Sequence, residues 1–135
     1  YRVYVLMGDG ELEEGQVWEA AMTSVHYKLD NLTAFVDYNH LQIDGSIEEV
    51  KSLYDVPGRF RAFGWHVIEI DGHSFEALDK AVAEAEATKG RPTMVIMNTC
   101  KGKGCSFMEN QAGWHGMAPK PEEAAAALKE LGFDA

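Results

Sequence analysis

Apolar and polar positions follow two rhythms along this chain. Short, mostly apolar runs recur at Tyr1–Met7, Leu32–Asp37, Trp65–Ile70 and Thr93–Thr99, each ended by glycine, aspartate or asparagine. Their length and their turn-forming borders predict strands. Between them the apolar positions shift to helical spacing. Gly15 to about Tyr27 predicts a helix whose small residues Ala20, Ala21 and Ser24 suit close packing on a sheet. Phe75, Leu78, Ala81, Val82 and Ala85 form one stripe of a second helix, capped by Ser74 and broken by Gly90-Arg91-Pro92. Val56–Gly64 predicts a short helix ended by its glycine, Ile47–Leu53 an acidic, mildly helical stretch, and Pro121–Leu131 a last helix with proline in its first turn. Leu41–Gly45 reads as a short extended piece closed by an Asp-Gly turn, and Lys101–Gly116 as a polar loop. Strands alternating with helices predict an α/β fold, an open parallel sheet with helices on both faces and right-handed crossovers. No internal repeat and no linker divides the chain, so residues 1–135 are expected to form a single domain.

Composition narrows the function. A net charge of −10 disfavours nucleic acid and anionic membranes as partners. It also means that a phosphorylated ligand would need local help from a cation and from backbone donors. No apolar run approaches a membrane span. Cys100 and Cys105 lack a histidine or cysteine pair at zinc spacing and read as reduced thiols of a cytoplasmic protein.

The candidate chemistry sits at Gly8-Asp9-Gly10, directly after the first strand. Glycines allow a ligand to approach the backbone, and the aspartate offers a hard oxygen. Asn39 follows thirty positions after Asp9, just past the second strand. That is about one strand–helix–strand unit, so a parallel crossover brings both residues to the same sheet edge, where they can face one ion.

Gly8-Asp9-Gly10 with Asn39 resembles the thiamine diphosphate and magnesium motif. The surrounding stretches, Gly8 to Met22 and His26-Tyr27-Lys28-Leu29-Asp30-Asn31-Leu32, resemble transketolase, above all the amino-terminal subunit of split bacterial transketolases. The resemblance runs from about Val5 to about Pro121. It implies a thiamine diphosphate-binding fold and transfer of a two-carbon ketol unit between sugar phosphates. It implies magnesium, with calcium or manganese as substitutes, held by the Asp9 carboxylate, the Asn39 amide and the Leu41 carbonyl. Diphosphate oxygens and water would complete the octahedron. Gly8 and Gly10 belong to the same cofactor loop, and Gly10 would offer its N–H to the diphosphate. Lys101 matches a lysine beside the cofactor, and His115 matches the histidine that approaches diphosphate and substrate, the catalytic assignment carried by this chain. Glu14 and Glu19 match glutamates that join two active sites through a subunit interface. One departure stands out, because the common motif has two asparagines and Tyr38 occupies the first.

The resemblance also implies what is held elsewhere. The glutamate that activates the cofactor comes from a pyrimidine-binding, carboxy-terminal subunit, and nothing here matches it. Residues upstream that grip the diphosphate and donor sugar are likewise unmatched, so the sequence is expected to be a fragment of a larger domain, working in a dimer or heterotetramer. The alternatives are another thiamine diphosphate enzyme, such as a deoxyxylulose phosphate synthase or a dehydrogenase component, or a non-catalytic interaction fragment. Glu13, Lys103, His26, His40, His66 and His73 are given no site role.

Overall fold

Apolar runs of five or six residues bury themselves most completely as inner strands of a parallel sheet, and the chain does this twice. In a computed structural model describing residues 1–133, the strands are β1 (Val3–Gly8), β2 (Leu32–Tyr38), β3 (Leu41–Gln42), β4 (Gly45–Ser46), β5 (His66–Asp71) and β6 (Thr93–Asn98). The helices are α1 (Gly15–His26), α2 (Ile47–Lys51), α3 (Val56–Phe63), α4 (Phe75–Ala87) and α5 (Pro121–Glu130). Four strands form one sheet in the order β1-β2-β6-β5, parallel throughout, and β3 and β4 form a separate antiparallel pair. The inner strands β2 and β6 hold the most apolar text, and Val36, Met94, Val95 and Ile96 are fully buried there.

Side-chain alternation divides the sheet into two covered faces. On one face Ala34, Val36, Met94 and Ile96 pack with Ala21 of α1 and with Val56 and Phe60 of α3. Trp18 stacks on Phe60 at 5.1 Å, and Trp65 meets Phe60 edge-on at 5.6 Å. Both indoles find acceptors in this dry region, Trp18 on the Leu12 carbonyl at 2.8 Å and Trp65 on the Ala21 carbonyl at 3.0 Å. The opposite face carries His66, whose ring pairs with Glu84 of α4 at 2.7 Å, and Ala81 and Ala85 of α4 are buried. Helices therefore lie on both faces, as the alternation predicts.

The helix boundaries follow local chemistry. Ser46, Asp55 and Ser74 accept backbone N–H groups at the starts of α2, α3 and α4. Gly64 closes α3 at φ 100°, the left-handed conformation in which a side chain would be strained. The polar stretch after β6 is not wholly irregular, since Ala112–His115 forms one 3₁₀ turn.

Candidate functional site

Three parallel strands finish side by side, with Gly8 in register with Asp37 and Tyr38 with Asn98. Their carboxyl ends form the rim where ligands of open α/β sheets bind. Asp9 is the first residue past β1, and it is 1% exposed. Its Oδ2 accepts the His40 backbone N–H at 2.5 Å, and its own N–H donates to the Asp37 carbonyl at 3.2 Å. Burial pushes the Asp9 carboxyl above the ordinary carboxylate range. Backbone N–H groups of His40 and Gly10 oppose that shift, and the neighbouring Asp37 charge reinforces it.

The chain reverses directly after β2. Asn39 Oδ1 accepts the Leu41 N–H at 2.9 Å, and Asn39 Nδ2 donates to Asp37 Oδ1 at 3.2 Å. His40 sits at φ 64°, a left-handed conformation tolerated by few side chains. Thr99, just past β6, donates its hydroxyl to the same Asp37 oxygen. The His40 ring turns away to Glu48 at 2.9 Å, and this contact holds Glu48 below its usual range.

On the other side of Asp9, Gly10–Glu13 forms a 3₁₀ turn. Trp18 pins it through the Leu12 carbonyl, and Leu12 is fully buried beneath. The Gly8 N–H donates to Glu11 Oε2 at 2.6 Å. A Cβ on Gly10 would lie 3.1 Å from Gln42, so glycine keeps this backbone open where the two loops meet. Glu13 Oε1 is buried without a hydrogen-bond partner among the described residues.

Lys101 Nζ approaches His115 Nδ1 at 3.4 Å. Because an ammonium can only donate, His115 Nδ1 is the acceptor side of that contact. These groups converge on a pocket of about 290 Å³ whose wall includes Gly8, Asp9, Gly10, Asn39, Leu41, Lys101 and His115. The sequence-predicted residues from four separate segments are thus brought together. Glu14 and Glu19 are not; both are exposed, at the entry and first turns of α1, and neither lines the pocket. The wall also contains Glu11, Glu13, Asp37 and Gln42, which the sequence reading leaves aside. Only the short separation from Asp9 or Asn39 hinted at them. A second groove of about 270 Å³, beside α1 and β1, is lined largely by apolar side chains such as Val5, Met7 and Ala20.

The donor chemistry of the first pocket suits a hard divalent cation with an attached diphosphate. Asp9 and Asn39 offer carboxylate and amide oxygens, and Lys101 and His115 supply basic groups across the pocket. Among the described residues, no three His, Cys, Asp or Glu side chains gather around a metal-sized point. A cation here would rely on amide, carbonyl and ligand oxygens, the pattern by which magnesium is usually shared with a phosphate.

The family model for the thiamine diphosphate-binding domain of transketolase matches residues 1–135. The 6-deoxy-6-sulfo-D-fructose transketolase subunit SqwG of Clostridium sp. (strain MSTE9) is 46% identical over 129 residues, 96% of this chain and 47% of that protein. An apulose-4-phosphate transketolase subunit of Phocaeicola vulgatus is 46% identical over 131 residues, covering 97% of this chain and 47% of that protein. The chain therefore spans about half the length of these curated relatives. The crystal structure of transketolase from Campylobacter jejuni superposes with a TM-score of 0.92 at 33% identity, over 99% of this chain and 21% of that one.

Proposed function

Because the chain belongs to the transketolase thiamine diphosphate-binding domain family, we propose that it holds the diphosphate end of the cofactor in a ketol-transferring enzyme of split type. The observation that carries this reading is the contact between Asp9 Oδ2 and the backbone of the Asn39–Leu41 turn, which gathers two remote oxygen donors at one rim. Asp9, Asn39 and the Leu41 carbonyl would hold magnesium, and Gly10 would offer its N–H to the diphosphate. Bound thiamine diphosphate supplies the carbanion and the electron sink for the transfer. The residues of this chain place it and balance its charge.

Lys101 and His115 act on the anionic side of the pocket. With Nδ1 occupied by Lys101, His115 presents Nε2–H as a donor toward a phosphate or a substrate oxygen. The partner is a carboxy-terminal, pyrimidine-binding subunit, and the substrates are sugar phosphates. SqwG and the apulose-4-phosphate transketolase relative are both named as subunits, which supports a two-chain enzyme. The same reading places the enzyme in the cytoplasm, and the free thiols of Cys100 and Cys105 support that.

Calorimetry tests the proposal. Thiamine diphosphate should bind only with magnesium present, and Asp9→Ala should reduce the affinity at least about a hundredfold, as loss of a direct metal ligand does. Mixing with the pyrimidine-binding subunit should then yield ketol transfer from a ketose phosphate. Cofactor binding that ignores both magnesium and Asp9→Ala would refute the site.

A further inference from the structure

We propose that Asp37 is a positioning residue that sets which end of the Asn39 amide is presented to the cation, an inference that rests on the cation-site reading above. Asparagine can turn either its oxygen or its NH₂ group toward a given point, and only the oxygen can ligate a metal. The structure removes the choice by occupying both ends. Asp37 Oδ1 takes the Nδ2 hydrogen at 3.2 Å, and an ionised carboxylate can only accept. The Leu41 N–H donates to Oδ1 at 2.9 Å, leaving the second lone pair of that oxygen for a ligand. A flipped amide would set NH₂ against N–H and oxygen against oxygen, two repulsive contacts in place of two hydrogen bonds.

Asp37 is itself held. The Thr99 hydroxyl donates to the same oxygen, tying the end of β6 to the end of β2. The Asp37 main chain also reaches the other predicted ligand, since its carbonyl accepts the Asp9 N–H at 3.2 Å. One residue thus supports both protein side chains of the site, with its backbone on Asp9 and its side chain on Asn39. It lines the pocket beside Asn39, and its Oδ1 accepts from the amide it orients. Groups that orient metal ligands in this way typically alter metal affinity by about ten- to a hundredfold.

The test compares Asp37→Ala, Asp37→Asn and Thr99→Val in the full chain, with magnesium titrated at saturating thiamine diphosphate. Asp37→Ala should weaken magnesium binding by about ten- to a hundredfold. Asp37→Asn keeps an acceptor oxygen for Asn39 and Thr99, and should restore binding to within about threefold of the wild type. Thr99→Val should fall between them. Independently of any metal, the Asn39 side-chain NH₂ resonances should move in Asp37→Ala and stay in place in Asp37→Asn. Thermal melting checks that each variant folds. Unmoved Asn39 resonances in Asp37→Ala, or equal losses of magnesium affinity in Asp37→Ala and Asp37→Asn, overturn the proposal alone. A wild-type chain without magnesium-dependent binding overturns the cation-site reading and the proposal together.

Discussion

Burial of Asp9 disfavours its ionised form, the Asp37 charge adds to the penalty, and the two backbone N–H groups offset only part of it. A carboxylate whose pKa is raised on folding contributes stability while protonated and loses it as the pH rises past the ordinary value. At neutral pH its charge therefore works against the apo fold. Asp9→Asn removes that charge and keeps an oxygen for the His40 N–H. The expected outcome is an apo chain more stable by up to about 1 kcal/mol in thermal melting, a gain typical of relieving a functional residue. A lower melting temperature would refute it. Part of this was legible in the sequence: two glycines around an aspartate, and an asparagine one crossover later, were enough to name both residues. Asp37 was not legible, because its role lies in two side-chain contacts, to Asn39 and Thr99, and the latter spans 62 positions. The buried Glu13 oxygen, unpartnered among the described residues, was equally hidden, since an acidic residue beside a helix start reads as solvated.

Elements place these residues only while the strand ends stay aligned, and the turn after β5 shows how tightly that alignment is set. The Gly72 N–H donates to the Asn98 carbonyl at 2.9 Å, and Asn98 Nδ2 returns to the Ile70 carbonyl at 3.2 Å. A Cβ on Gly72 would lie 2.5 Å from Thr99 Cγ2 and 2.8 Å from Met97 Cβ. The β5 turn is pressed against the segment that carries the Asp37 anchor. Gly72→Ala should destabilise the chain by about 1–3 kcal/mol, the usual effect of overpacking. By displacing Thr99 it should also weaken magnesium-dependent cofactor binding in calorimetry; unchanged stability would show that the turn yields freely. The sequence marked Asp71-Gly72-His73 as a stop and the four strands of the main sheet by their apolar runs, yet the order β1-β2-β6-β5 was beyond it, and so was β4 (Gly45–Ser46). Apolar text says that a strand is buried; it does not say which neighbour buries it. The fully buried strand residues of β6 fit its inner place, while β5 keeps Glu69 and Asp71 exposed at the sheet's edge.

Charge acts at the scale of the whole molecule. The chain carries a net charge of −10, and part of that excess lies in the pocket wall, where Asp9, Glu11, Glu13 and Asp37 stand against Lys101 and His115. A diphosphate approaching without a cation meets repulsion from the whole surface and from the pocket, with the Lys101 ammonium and the His115 imidazole to oppose it. A divalent cation reverses the local sign, which is why the proposed function depends on one. The two regimes respond oppositely to salt. The screening length is about 10 Å at 0.1 M, so added salt weakens the long-range repulsion first. Residual metal-free affinity for thiamine diphosphate, measured in EDTA by calorimetry or fluorescence, should therefore be low. It should rise as sodium chloride goes from about 0.02 to about 0.2 M, a step that shortens the screening length roughly threefold. With magnesium saturating, attraction at short range dominates and the same salt step should leave affinity level or lower it. A metal-free affinity that falls with salt would mean that Lys101 and His115 outweigh the acidic surface, and that the cation is dispensable for holding the diphosphate.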